Sequence, residues 1–425
     1  MMQSRPITGC RVCGRAGLMP ILDYGRTALA NRFLRESQLA EPEPTFPLRL
    51  CLCQSCGLVQ IDETVDPDVL FQDYVYVTGT SDLAVKHANG LARRITERYQ
   101  LGPRDLVLEA ASNDGTVLKA FAKNGVRAIG IEPAANIAAR ALADGSETIA
   151  AYFGVDTAEM VRDRAGPAKV FLARHVLAHV PDLHGFLRSA ARCLTDDGVA
   201  MVEVPHLLPF YENLEFDTVY HEHLCYFSVR VLQTLGTLCG LEIIDAENVS
   251  IHGGSVLVTF QPAGGPRFPT AAVERMLDRE VEAGLDRPEP WAAFARQASD
   301  SREQLMGELG WLNDRGFRVA GYGAAAKGMC LLSFHGIGSD LMPYVVDKSP
   351  HKQGLYTPGH HLPVKHPDVL LEDRPDVVTI LAWNFANEIV EQQAEYRRRG
   401  GTFLLPLPVP RFIEGPVVKP VRKAA

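Results

Sequence analysis

Long apolar runs are missing from this chain: no window approaches the ~20 consecutive apolar residues that a membrane-spanning helix requires. Met1 to Cys10 lack the apolar core of a secretory signal peptide, so the expected address is the cytoplasm, with no membrane partner. Basic residues are in the minority, 43 Lys and Arg against 51 Asp and Glu, and the net charge of −8 argues against binding nucleic acid over a broad surface. Compositional bias is absent as well. The 46% hydrophobic and 22% charged fractions, with a mean hydropathy of −0.03, are those of a globular protein rather than a disordered one. At 425 residues the chain exceeds the roughly 250–300 residues at which single cores stop growing, so two to four domains are expected. Nothing in the sequence calls for an oligomer.

Nine cysteines in a chain without secretory features point to metal or free thiols rather than disulfides. Cys10-Arg-Val-Cys13 and Cys53-Gln-Ser-Cys56 each turn tightly enough to offer two thiolates to one ion, and together they complete a closed tetrahedral zinc shell. The gap of 39 residues between the pairs is longer than in an ordinary zinc ribbon, so it must fold as a small layer of its own. Such an ion has no open position and should be structural, stapling a module with too little core to stand alone. Cys51 has the wrong spacing to pair with Cys53 and reads as a spare thiol or one lying behind the ligands. Downstream, the alternation in Phe71 to Ser81 suggests an extended connector that places Tyr74 and Tyr76 on one face, where plain packing is the first reading.

A helix over Leu83–Tyr99 leads into a strand over Asp105–Ala110, the small-residue loop Ala111-Ser-Asn-Asp-Gly115, a helix over Thr116–Asn124 and a strand over Arg127–Glu132. This is the mononucleotide-binding half of a doubly wound α/β sheet. Small residues let the backbone approach a ligand, and Glu132, 23 positions after Glu109, is placed to accept hydrogen bonds from two ribose hydroxyls. A dinucleotide or S-adenosylmethionine would fit. The loop lacks the three glycines that cradle a pyrophosphate, which counts against NAD and FAD. A strand over Val170–Arg174 follows. The run His175 to Phe186 then opens a helix reaching Leu194, a turn Thr195-Asp-Asp-Gly198 and a strand over Val199–Val204. His175 and His179 could chelate a metal from one helix face, although no third ligand is evident.

The segment Phe216 to Ser228 sets Tyr220, His221, Glu222 and His223 in consecutive positions of an otherwise apolar stretch. Such groups are costly to bury without partners or a task, so the cluster reads as proton-transfer machinery, with a solvated loop or a metal site as the alternatives. Consecutive His-Glu-His is poor helical metal geometry, because ligands on one face stand three or four residues apart. His221 is expected at the surface without a role. His252-Gly-Gly254 reads as a turn that permits close backbone approach.

The strand, loop and turn succession of the centre is similar to class I S-adenosylmethionine-dependent methyltransferases. With Glu203-Val-Pro-His, Phe216-Asp-x-x-Tyr-His-Glu-His-x-x-Tyr-Phe-Ser228, His252-Gly-Gly-Ser255 and both Cys-x-x-Cys pairs, nearly the whole chain resembles the three-domain, zinc-binding NDP-sugar C-methyltransferases of deoxysugar pathways. Ala111 departs from the glycine usual at its position. The resemblance implies a methyl donor, S-adenosylmethionine, held by Glu109, Ala111, Asn113, Asp114, Gly115, Glu132, Pro133, Arg174 and His175. It implies catalytic roles for Tyr76, His179, Tyr220, Glu222 and His223, and a nucleotide-sugar substrate, dTDP-linked, methylated on the carbon next to a ketone, C-3. Carbon becomes nucleophilic there once a base removes a proton. His223 is the expected base, Glu222 the group orienting it or a neighbour, and Tyr220 the donor to the enolate oxygen.

After helices over residues 263–316, broken at Arg287-Pro-Glu-Pro290 before an amphipathic run over Trp291–Leu312, a second α/β unit begins at Arg318. Its loop Gly321-Tyr-Gly-Ala-Ala-Ala-Lys327 makes an anion-receptive helix start, and strands Tyr344–Asp347 and Val377–Asn384 continue a Rossmann-like sheet. NAD is the obvious occupant, but again the third glycine is missing. The cleft residues are expected to be His252, Gly253 and Gly254 with Tyr322, Gly323, Ala324 and Lys327, the latter set near the diphosphate. The expected division is residues 1–80, 81–262 and 263–425. Methylation of oxygen or nitrogen, a dehydrogenase and a zinc-stapled binding protein without turnover are the competing functions.

Overall fold

The computed structural model describes residues 3–71, 77–80, 82–249 and 253–413. Tyr74, Tyr76, His252 and the tail from 414 lie outside them.

The first module holds β1 (Ser4–Pro6), β2 (Leu18–Ala28), β3 (Thr45–Cys53), β4 (Val59–Ile61) and β5 (Glu63–Val65). β1 pairs with β5, while β2, β3 and β4 form an antiparallel sheet. Period-two burial explains β3: Leu48, Leu50 and Leu52 all turn inward and are at most 2% exposed. The long gap between the cysteine pairs is therefore the β2–β3 hairpin.

The centre is one seven-stranded sheet. Its strands are β6 (Leu106–Ala110), β7 (Arg127–Glu132), β8 (Thr148–Ala150), β9 (Ala168–Arg174), β10 (Leu194–Pro205), β12 (Leu241–Val249) and β13 (Ser255–Pro262), with β11 (Cys225–Tyr226) between β10 and β12 in the chain. The order is β12-β13-β10-β9-β6-β7-β8, parallel except for β13, which runs antiparallel to both neighbours. β6 is buried at every position, as a strand covered on both faces must be. The order reverses between β6 and β9, and their C-terminal ends open the crevice where such sheets take ligands. β11 leaves this sheet and becomes the fourth strand of the first module, paired to β4.

Two local expectations change. The stretch from His175 is not helical: a 3-10 turn spans Leu177–His179 and the helix starts at Leu183, capped by the Asp182 carboxylate accepting from the Gly185 amide. Thr195–Gly198 is no free turn but lies within β10, where the ladder to β9 is interrupted between Leu194 and Val199.

A 27-residue helix, Pro288–Asp314, with proline at its start, leads to the last sheet. That sheet runs β16 (Val364–Lys365), β15 (Val345–Val346), β14 (Val319–Tyr322), β17 (Val377–Ile380), β18 (Thr402–Leu405), β19 (Arg411–Ile413), parallel but for β19. β17 stops at Ile380, short of the expected Asn384, and gives way to a 3-10 turn over Trp383–Phe385. The first module joins this domain through reciprocal backbone bonds between Leu34 and Tyr356, of 3.0 and 2.8 Å. Among the described residues no helix is long and apolar enough to cross a membrane.

Candidate active site

The four expected zinc ligands converge: the sulfurs of Cys10, Cys13, Cys53 and Cys56 all lie within 4.8 Å of one another. Contact with Cys56 draws the Cys10 thiol down to about 5 and pushes Cys56 up, so the cluster already favours a thiolate. Cys51 stays outside it, buried, its thiol raised to about 12 by burial.

At the C-terminal ends of β6 and β7, Ala111 and Asn113 adopt left-handed backbone at φ 50° and 51°. Glycine adopts that conformation without strain, and alanine carries the turn at some cost. Glu132 is buried, and its two oxygens accept from the Asn113 and Ala134 amides at 2.9 Å each; burial raises its pKa. The Asn113 and Asp114 side chains turn to the connector, accepting from the amides of Thr78 (2.8 Å) and Gly79 (2.9 Å). Gly115, at φ 74°, opens the Thr116–Lys123 helix, and Pro133 is half-buried beside Glu132. Across the crevice, burial pushes Glu109 up to about 7 against the pull of Arg174, whose Nε lies 3.4 Å from its Oε1. His175 sits at φ 53°; its amide donates to the Glu203 carbonyl and its Nε2 lies 3.1 Å from Glu203 Oε1. Burial would raise Glu203, yet His175, Arg174 and His87 together hold it at about 2. His175 and His179 share no helix face, which removes the chelate reading.

The Tyr220–His223 segment lies between a 3-10 turn over Phe216–Thr218 and β11. The Tyr220 hydroxyl is 2.8 Å from His223 Nε2, and His223 Nδ1 is 3.1 Å from the Thr218 carbonyl oxygen. A carbonyl only accepts, so Nδ1 carries the proton and Nε2 accepts from Tyr220. Both residues are half-buried. The Leu224 amide bonds the Ala178 carbonyl at 2.7 Å, which sets the His179 ring edge-on to His223 with centroids 5.0 Å apart. Burial lowers His179 to about 4 and keeps it neutral.

Glu222 turns its carboxylate away from His223, and its backbone carbonyl bonds the neighbouring His179 ring instead. It is buried, accepts from Asn31 Nδ2 at 2.8 Å and feels the charge of Lys352; burial pushes it up to about 7. The expectation for His221 fails. It is 1% exposed, its Nε2 3.1 Å from the Pro47 carbonyl oxygen and its ring against Phe46, so it is a buried prop of the β3 strand, lowered to about 4 by burial.

Gly253 has φ 94°, and a Cβ there would stand 2.7 Å from both Glu215 carboxylate oxygens, so only glycine allows this approach. Gly254 carries the carbonyl that receives the His206 amide. Burial raises Glu215 to about 7, opposed first by Lys327, whose Nζ lies 4.3 Å from the Trp383 ring centre. Lys327 also opposes the burial-driven rise of Asp217, which accepts from Trp383 Nε1 at 2.7 Å. Tyr322 departs from expectation: its side chain is 3% exposed and packs in the core with Ala320, Val346 and Ile380. At the Gly323–Ala324 loop, the Ala324 amide donates to Asp347 Oδ2 at 2.7 Å, while Lys352 Nζ donates to the Ala324 carbonyl at the same distance. Asn31, Glu215, Thr218 and Lys352 thus join the site without having been singled out in the sequence, while Trp383 braces Asp217 behind it.

The order of the central sheet, with its antiparallel β13 and its acid-ended β7, defines an S-adenosylmethionine-dependent methyltransferase carrying a zinc-binding module. A methyltransferase domain family matches residues 85–246, a zinc binding domain residues 10–71 and a C-methyltransferase C-terminal domain residues 250–408. C-methyltransferase NovU of Streptomyces niveus is 36% identical over 409 residues, 96% of this chain and 97% of its own length. The chain belongs to this family of C-methyltransferases. Among solved structures, a methyltransferase of Clostridium acetobutylicum ATCC 824 aligns with 42% of this chain and 92% of its own at 10% identity and TM-score 0.35. Magnesium protoporphyrin IX methyltransferase of Synechocystis PCC 6803 aligns with 46% of this chain and 89% of its own at 12% identity and TM-score 0.32.

Proposed function

We propose that the enzyme methylates C-3 of a nucleotide-linked 4-keto-deoxysugar, dTDP-linked and drawn from the cytoplasm, through an enolate formed by His223. The observation carrying this reading is the Tyr220–His223 hydrogen bond at 2.8 Å, a basic nitrogen and a hydroxyl donor held side by side. S-adenosylmethionine supplies the electrophilic methyl. When the sugar's ketone oxygen draws the Tyr220 hydroxyl away, the Nε2 lone pair is released to the neighbouring C–H. That bond breaks, its proton goes to Nε2, and its electron pair forms the enolate, whose oxygen Tyr220 stabilises. The enolate carbon takes the methyl as its bond to the sulfonium sulfur breaks, leaving S-adenosylhomocysteine, and the imidazolium returns its proton to solvent. His179, neutral and edge-on to His223, keeps the base from facing another cation, and Tyr76 is assigned as a second donor.

For the methyl donor we assign Glu132 to the ribose, and the Ala111–Gly115 backbone with Pro133 to the adenosine side. Glu109, Arg174 and His175 take the methionine end. Two buried oxygens there, Glu109 Oε2 and Glu203 Oε2, have no hydrogen-bond partner among the described residues, which suits the α-ammonium that the methionine half brings. The sugar nucleotide is assigned to a cleft between residues 1–80, 81–262 and 263–425. Gly253 approaches Glu215 from one side and the Lys327 charge acts on it from the other; His252, Gly254, Gly323 and Ala324 are assigned to the same cleft, and Tyr322 contributes its backbone.

The test is washout at the substrate's α-carbon. With the enzyme, S-adenosylhomocysteine and the deuterated ketosugar nucleotide, label is expected to leave C-3, and His223→Ala should abolish its loss. With S-adenosylmethionine in place of S-adenosylhomocysteine, a methylated product that keeps the C–H label would mean transfer to oxygen or nitrogen and overturn the proposal.

A further inference from the structure

We infer that Trp383 of the C-terminal domain is a positioning residue for the base: through Asp217 it fixes the Thr218 carbonyl that sets the tautomer of His223. The inference rests on the reading of His223 as base.

In an open α/β sheet, the crevice at the strand-order reversal is where a ligand belongs. In the last sheet that reversal falls between β14 and β17; Lys327 stands in the first turn of the helix after β14 and Trp383 in the 3-10 turn after β17. What meets those two side chains is the Phe216–Thr218 turn of the central domain. Trp383 Nε1 donates to Asp217 Oδ2 at 2.7 Å, the Lys327 charge acts on the same carboxylate, and the Phe216 ring packs on Phe334 at 4.8 Å. Asp217 is 0% exposed and its Oδ1 has no hydrogen-bond partner among the described residues. A buried carboxylate so placed leans on the few groups that reach it, the Lys327 charge and the directional bond from the indole. The zinc-binding module holds the turn from the opposite side, the Tyr24 hydroxyl donating to the Phe216 carbonyl at 2.7 Å.

The peptide that follows Asp217 contains the carbonyl that matters. Thr218 O receives both His223 Nδ1–H, at 3.1 Å, and the Tyr226 hydroxyl, at 3.0 Å. If the turn shifts, Nδ1 loses its acceptor, the imidazole is free to carry its proton on Nε2, and the lone pair faces the wrong way. The C-terminal domain therefore acts on proton abstraction without touching the reacting carbon.

The test uses full-length protein labelled with ¹⁵N-histidine, the His223 signals being assigned by their loss in His223→Gln. The wild type should show a neutral ring protonated on Nδ1. In Trp383→Phe the tautomers should mix, kcat for deuterium washout should fall by about 10²-fold, and KM for the ketosugar and affinity for S-adenosylhomocysteine should hold within about twofold. Asp217→Asn, which still offers the indole an oxygen, should keep tautomer and rate, whereas Asp217→Ala should copy Trp383→Phe. Should Trp383→Phe not fold, the Asp217→Asn and Asp217→Ala pair carries the test. A pure Nδ1–H tautomer with wild-type washout in Trp383→Phe, or a raised KM at unchanged kcat, would overturn the inference. Mixed tautomers together with washout that survives His223→Ala would instead sink the assignment of the base and leave the positioning role standing.

Discussion

His223 Nε2 accepts the Tyr220 hydroxyl at 2.8 Å because its other nitrogen is committed to the Thr218 carbonyl. The proposed base is thus masked at rest, and the group masking it is the one assigned to the ketone. Tyr220→Phe removes both the mask and the donor to the enolate. Washout and methylation should slow together by roughly 10²–10³-fold, with affinity for S-adenosylhomocysteine unchanged. Wild-type rates in this variant would strip Tyr220 of its role.

Glu222 makes stability fall as pH rises. Its folded pKa of about 7 stands above the ~4.3 of an unfolded glutamate, so between those values the folded chain holds a proton that the unfolded chain has released. Stability linked to this group is fully present below about pH 4 and is lost as pH climbs through about 7. Glu222→Gln is neutral at every pH, so the difference in melting temperature, wild type minus variant, should shrink from pH 5 to pH 8. A difference that grows over that range would mean that Glu222 is ionised and stabilised in place.

The zinc cluster is tied to the central domain by His184, whose Nε2 lies 2.7 Å from the Val12 carbonyl oxygen, inside the first cysteine knuckle. Elemental analysis should find one zinc per chain, kept in Cys51→Ser and lost in Cys53→Ser. Removing the ion with a chelator should lower the melting temperature and the methylation rate in parallel, as expected when metal binding is folding energy. Full activity in zinc-free protein would refute that coupling.

The sequence exposed the parts of the site that belong to short patterns: two cysteine pairs, a strand-loop-helix-strand unit ending in Glu132, and four polar residues in a row. It hid what acts across distance. The acceptor that orients His223 is a backbone carbonyl, which any residue at position 218 would supply, so no side-chain pattern marks it. Asn31 and Glu222 are 191 positions apart, and Asp217 and Trp383 are 166 apart. Asn31 and Trp383 look ordinary until the domains meet. His221 misled because its polarity suggests solvent, whereas the Pro47 carbonyl supplies an acceptor inside the protein. Tyr322 misled through strand parity: the loop glycine follows it directly, but its side chain faces the core.

The pairing of β11 with β4 also bears on how the chain is made. The partner of Val59 and Gln60 is Cys225–Tyr226, about 160 residues further along. A ribosome adding about 5–20 residues per second takes roughly 8–30 s to reach it. For that interval the nascent zinc module has an open edge strand, the surface on which chains cross-pair.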